Sequence, residues 1–200
     1  MTNGKVPMSL FRDFTVPVSR IFGGNLLMLI AIGFYIAWWT VTFRPNRTSK
    51  TRGTGFFIPP AILIGATAIT IKFSGIETLS QAGKGFPVVY ILLGAITLYI
   101  ILLGVTRIVF QRPVTAELLL IIVWAALEGS AIAVLQGSNW FSLGQALTLA
   151  TLTLLAAGVG IVCYILHYRL DDILCFWNGL IPLIVDAGVV TLFLAVLALS

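Results

Sequence analysis

An all-α integral membrane protein, a bundle of about six transmembrane helices, is the fold class that this sequence predicts, and three observations carry it. The 200 residues are 59% hydrophobic and only 10% charged, too little polar surface to cover a water-soluble globule. The apolar residues fall into six runs, free of charge apart from three acids, of roughly the ~20 residues that a helix needs to cross a ~30 Å hydrocarbon core. None of these runs has the polar stripe of a soluble amphipathic helix or the alternation of a membrane β-strand.

Residues 1–23 form an amino-terminal tail. Lys5, Arg12, Asp13 and Arg20 punctuate it, no apolar core precedes residue 24, and no small-residue cleavage pattern follows, so it reads as mature chain rather than as a secretory signal. Its segment 7–17 mixes apolar and charged residues and suggests a short interfacial helix, although prolines stand at both ends. The transmembrane domain, 24–200, contains the six runs at 24–43, 56–71, 86–106, 114–135, 144–166 and 173–199. The second opens Phe56-Phe-Ile-Pro-Pro-Ala61, a proline-marked helix start. The fourth carries Glu117 in its first turn, where a carboxylate complements the helix dipole. In the fifth, Gln145, Thr148 and Thr151 recur at spacing three beside the small-residue run Ala156-Ala-Gly-Val-Gly160, which suits either a hydroxyl-lined path or interhelical packing.

The connections set the expected topology. Segment 44–52 has four basic residues and no acid, Arg107 and Arg112 flank the third connection, and 167–172 forms the fifth. By contrast, 74–85 reads as a loose polar loop containing Glu77 and Lys84, and 136–142 is uncharged. With Lys72 counted at the edge of that polar loop, seven basic residues stand on one side against five on the other. The positive-inside rule then puts both termini on the non-cytoplasmic side of a cell membrane. The triplet Asn46-Arg-Thr48 matches a glycosylation acceptor but falls in the basic, cytoplasm-facing connection. Cys163 and Cys175 make no disulfide framework and are expected to be reduced.

Chemistry is expected where ionisable residues fall inside the hydrocarbon. Glu128 lies near the middle of the fourth run and Asp186 near the middle of the sixth. A central acid costs about 2.5–3.5 kcal/mol on insertion scales, so such residues face the bundle interior and take a partner, a proton or a cation. Pro182 frees the Asn178 carbonyl one turn earlier, placing a loosened carbonyl, an amide and a carboxylate within two turns. Tyr99, central in the third run, is the natural hydroxyl partner for a buried acid. Tyr35, Trp38, Trp39, Phe43, Trp140 and Trp177 sit near run ends, as an aromatic belt does. Cys163, His167, Asp171 and Cys175 recur every four residues, but the chain must reverse among them and they are not expected to hold a metal. The sequence has no phosphate-binding glycine loop, no Gly-x-Ser-x-Gly and no His-Glu-x-x-His, so no enzymatic activity and no cofactor are expected. Twelve basic residues against seven acids, without a basic face, exclude nucleic acid as a partner.

Six helices in about two hundred residues with both termini outside is a layout similar to that of the bacterial urea and amide channels. Gly94-Ala-Ile-Thr-Leu-Tyr99, and Asp186 followed by a small residue, are the two patches of likeness. That family's fifth helix is rich in tryptophan, the run 144–166 has none, and no residue role is carried over. The resulting expectation is a homo-oligomeric transporter or channel subunit for a small solute or ion. Its pathway residues would be Glu128, Asp186, Tyr99, Asn178, Gln145 and Thr148. The alternatives are a non-transporting subunit of a larger membrane complex, whose buried acids pair with a partner's basic residues, and an embedded lipid-modifying enzyme built on the polar cluster at 167–172.

Overall fold

The computed structural model describes residues 8–43, 54–81, 88–109 and 116–200. Among the described residues there are six helices, each long and apolar enough to cross a membrane: α1 (Met8–Phe43), α2 (Ile58–Gln81), α3 (Val88–Ile108), α4 (Ala116–Gly137), α5 (Leu143–Leu166) and α6 (Asp172–Leu199). There is no strand among the described residues. The protein is an all-α, multi-pass membrane protein. The basic connection 44–52 with its triplet at 46–48, and Lys5, Lys84 and Arg112, lie outside the described residues.

Two helices run further than hydropathy suggests. At 1.5 Å per residue the 36 residues of α1 span about 54 Å, and the tail segment expected as a separate interfacial helix is instead the continuous start of α1. Pro17 forfeits one backbone hydrogen bond there, but its neighbours Val18 and Ile21 are buried in the core. Helix α2 likewise continues through the expected polar loop to Gln81. Its hydroxyls are satisfied within the helix, Ser74 donating to the Ile71 carbonyl at 2.8 Å and Thr78 to the Ser74 carbonyl at 2.7 Å. On its inner side Gly75, Ile76 and Leu79 are buried.

Five helices close a ring in the order α1, α2, α4, α5, α6 and back to α1, while α3 packs outside it on α4. The α1–α2 contact is the closest. It depends on a face of α2 that reads Ala61, Ala68, Lys72, Gly75, Leu79, all buried at intervals of three, four and seven residues. Small residues let the two backbones approach. A Cβ on Gly24 of α1 would sit 2.6 Å from the Lys72 Cβ, so this glycine is what admits the base of the lysine side chain between the helices.

The two halves of the ring are built differently. In the half nearest the chain termini, Val18, Ile21, Ile76, Leu79, Ala131, Leu135, Phe141, Leu149, Phe193 and Leu197 form a continuous dry core. The α4–α5 turn seals its end. Asn139 takes φ 60°, and Ser142 caps α5 by exchanging hydrogen bonds with Gln145 (Ser142 N–H to Oε1 2.8 Å, Gln145 N–H to Oγ 3.3 Å). The opposite half, towards the carboxyl-terminal ends of α1 and α5, is hollow.

Candidate functional site

At the boundary between these halves, close to the middle of the span, a lysine, a carboxylate and an amide meet with no exposure. Lys72 Nζ donates to Glu128 Oε1, forming an ion pair, and to Asn25 Oδ1 at 2.7 Å. It also lies 5.4 Å from the ring centroid of Phe193, within cation–π range. Lys72, Glu128 and Asn25 are each 0% exposed. Glu128 Oε2 and Asn25 Nδ2 have no hydrogen-bond partner among the described residues, so the group is electrically paired but not fully satisfied there. Lys72 was expected at a loop edge as a topology charge. It is instead the interior counter-charge of Glu128, brought there because α2 continues ten residues past Ile71.

Above this pair is a cavity of about 290 Å³ between α1, α4, α5 and α6, with Ile69 of α2 also in its wall. Along α4 it extends from Glu117 to Leu127, about 15 Å at the helical rise, and so runs from the membrane edge to the midplane. Asp186 lines it at mid-membrane, with Asn178, Gly179, Pro182 and Leu183 on the same helix. Tyr35 and Trp39 of α1, Trp124 of α4 and Tyr164 of α5 supply aromatic walls. The wall is anchored rather than loose. Trp39 Nε1 donates to the Phe176 carbonyl at 3.0 Å, and Asn178 Nδ2 donates to the Cys163 carbonyl at 2.7 Å, tying α6 to α1 and to α5. Gly179 is required for the first of these contacts, since a Cβ there would run into the Trp39 ring.

Asp186 differs from Glu128 in the respect that matters. It is half-buried and faces the cavity, and no hydrogen bond or basic residue meets its carboxyl among the described residues. Of the two midplane acids, Glu128 is matched inside the protein by Lys72 and Asp186 has no such match among the described residues.

No protein-family model matches the chain, and no curated protein or solved structure does either. The likeness to urea and amide channels remains one of layout, and the site has to be read from its own geometry.

The other residues singled out from the sequence are distributed as follows. Asn178 is buried and lines the cavity with Asp186. Tyr99 is half-buried on α3, outside the helix ring. It does not line the cavity and makes no hydrogen bond to Glu128 or Asp186. Its expected place as partner of a buried acid is taken by Lys72. Gln145, Thr148 and Thr151 are exposed, on the side of α5 opposite the buried Ala146, Leu149, Thr153 and Ala157. They line neither the cavity nor an interhelical seam, and Gln145 serves as a cap. Glu117, expected only to balance a helix dipole, also lines the cavity mouth. Trp39 is interior, 7% exposed, rather than part of an interfacial belt. Of the four-residue stripe on α5 and α6, Cys175 and His167 approach (Sγ to either ring nitrogen 3.5 Å), while Cys163 lines the cavity and Asp171 is exposed. No three His, Cys, Asp or Glu converge among the described residues.

The sequence reading missed Lys72, Asn25 and Trp124. The first two had a signal. The small-residue spacing 61, 68, 75 on α2 predicts a buried face that includes position 72, and Asn25 follows the glycine it packs beside. Trp124, whose Nε1 is buried without a partner among the described residues, had none, because helix rotation decides whether a tryptophan lines a cavity or faces lipid.

Proposed function

We propose that this protein is a transporter or channel subunit for a small solute or ion, with both termini on the non-cytoplasmic side and Asp186 as its proton- or cation-linked site. The observation that carries the reading is the Asp186 carboxyl, at mid-membrane, open to a cavity and without a counter-charge among the described residues. A carboxyl in hydrocarbon must take a proton or a cation, and this one is placed where either can arrive from the cavity mouth. A hollow half above a midplane site and a dry half below it is the arrangement of a pathway open to one side. Lys72 and Glu128 stand at the junction, incompletely satisfied, where a change of charge at Asp186 would be felt. Removing Lys72 from the loop tally leaves seven basic residues against four, which widens the positive-inside bias.

A complex subunit whose acids await a partner's lysine finds no support at Glu128, which has its lysine within the same chain, and keeps only Asp186 as its candidate. Proton and cation flux into liposomes containing the purified protein tests the reading. Asp186→Asn should lower flux about tenfold or more, the consequence of losing a charged contact worth about 1.5–3 kcal/mol. Wild-type flux in a folded Asp186→Asn variant would rule out the assigned role.

A further inference from the structure

We infer that the solute taken by this cavity is a small organic cation with an aromatic or branched alkyl body, its positive charge seated at Asp186. The inference deepens the transport reading of the same cavity and rests on it. Charge selects first. Asp186 lines the space with no hydrogen bond or basic residue at its carboxyl among the described residues, and among those residues no lysine or arginine lines it, Lys72 being held by Glu128 and Asn25 beneath. An anion would meet a like charge at the midplane, while Glu117 and His167, which also line the space, have interactions of their own.

The chemistry of the walls then separates an organic cation from a bare metal ion. A small inorganic cation gives up its hydration shell only to a dense set of oxygen ligands, about six to eight for calcium, and the walls here are mainly tryptophan, tyrosine and aliphatic carbon. An ammonium wrapped in carbon has little hydration to replace and gains from aromatic faces. Tyr35, Trp39 and Trp124 provide those faces at depths between Glu117 and Asp186. The volume of about 290 Å³ equals that of roughly ten waters at ~30 Å³ each, enough for one ring and a substituted amine.

The test is calorimetric titration of the full chain in nanodiscs with benzyltrimethylammonium, and with neopentylbenzene as its neutral isostere. Benzyltrimethylammonium should fill a single saturable site about tenfold or more tighter than the isostere, as a charge-assisted contact requires. Asp186→Asn should bring the two ligands to the same affinity, and Leu183→Trp, which fills the cavity, should abolish binding of both. A cation that binds no tighter than its isostere to the wild-type protein overturns the inference without recourse to any variant, as does tight cation binding untouched by Leu183→Trp. Parallel liposome measurements separate the two claims. Cation binding without flux of any solute or proton keeps the ligand class and removes the transport reading, whereas Asp186-dependent proton flux with no cation binding does the reverse.

Discussion

The two halves of the helix ring are made from the same apolar composition, yet one is solid and the other hollow. In the solid half, β-branched and aliphatic side chains of α1, α2, α4, α5 and α6 interlock around Phe193 and Phe141, whose rings meet edge to face at 5.5 Å. In the hollow half the same helices present flat aromatic rings and small residues, held apart by Trp39 wedged against the backbone of α6 at Gly179. Packing that closes on one side and is propped open on the other turns a helix bundle into a cavity with a floor. The two midplane acids divide along the same boundary: Glu128 belongs to the solid half and has a partner, while Asp186 belongs to the hollow half and has none among the described residues.

The largest effect should come from breaking the floor. Lys72→Met leaves Glu128 as a buried charge with no partner and should cost about 3–5 kcal/mol of stability, read as a lower midpoint in denaturant titration of the detergent-solubilised protein. Adding Glu128→Leu should recover much of that loss, because an apolar pair of similar size needs no desolvation. A double variant as unstable as the sum of the singles would show that Lys72 matters through something other than the pair. Next in size is the prop. Gly179→Ala drives a methyl into the Trp39 indole and should cost about 1–3 kcal/mol, accompanied by a change in tryptophan emission, whereas Gly188→Ala, whose added methyl meets nothing within 4 Å, should be close to neutral.

The acids sharpen the comparison most directly. Glu128→Gln should destabilise the protein, since it strips Lys72 of its counter-charge. Asp186→Asn should change thermal stability by no more than about 0.5 kcal/mol, the range of substitutions that break no named contact, while it lowers flux. Equal destabilisation by the two substitutions would mean that Asp186 is held by the fold as Glu128 is. The smallest effects belong to α5. Gln145→Ala removes one arm of a capping box and should cost less than about 1 kcal/mol, and Thr148→Ala should leave both stability and flux unchanged.

How much of the site could be read in advance varies residue by residue. Glu128 and Asp186 stand out because a charge inside a long apolar run has few explanations. Asn178 and Pro182 follow from their spacing to Asp186. Lys72 was concealed by its neighbours: the polar sequence from Ser74 to Gln81 resembles a loop, and only the internal hydroxyl hydrogen bonds and the buried Gly75, Ile76 and Leu79 make it a helix. Thr148 and Thr151 misled in the opposite sense. Their spacing of three suits a polar stripe, but a threonine can satisfy its hydroxyl on its own helix backbone, and its position on a helix does not reveal which way that helix is turned.

By itself the sequence determined the class of the molecule, its six spans and the depth of its acids, because hydropathy and length along one chain are set by the bilayer that each run must cross. Only the tertiary structure decided which acid is matched and which is open. Both Glu128 and Asp186 lie at the midplane, and the difference between them comes from neighbour order and helix rotation. These bring Lys72 of α2 to α4 through the gap at Gly24 and turn Asp186 of α6 into the cavity behind Trp39. Such choices are made by side-chain packing between helices distant in sequence, which no run of apolar residues encodes on its own.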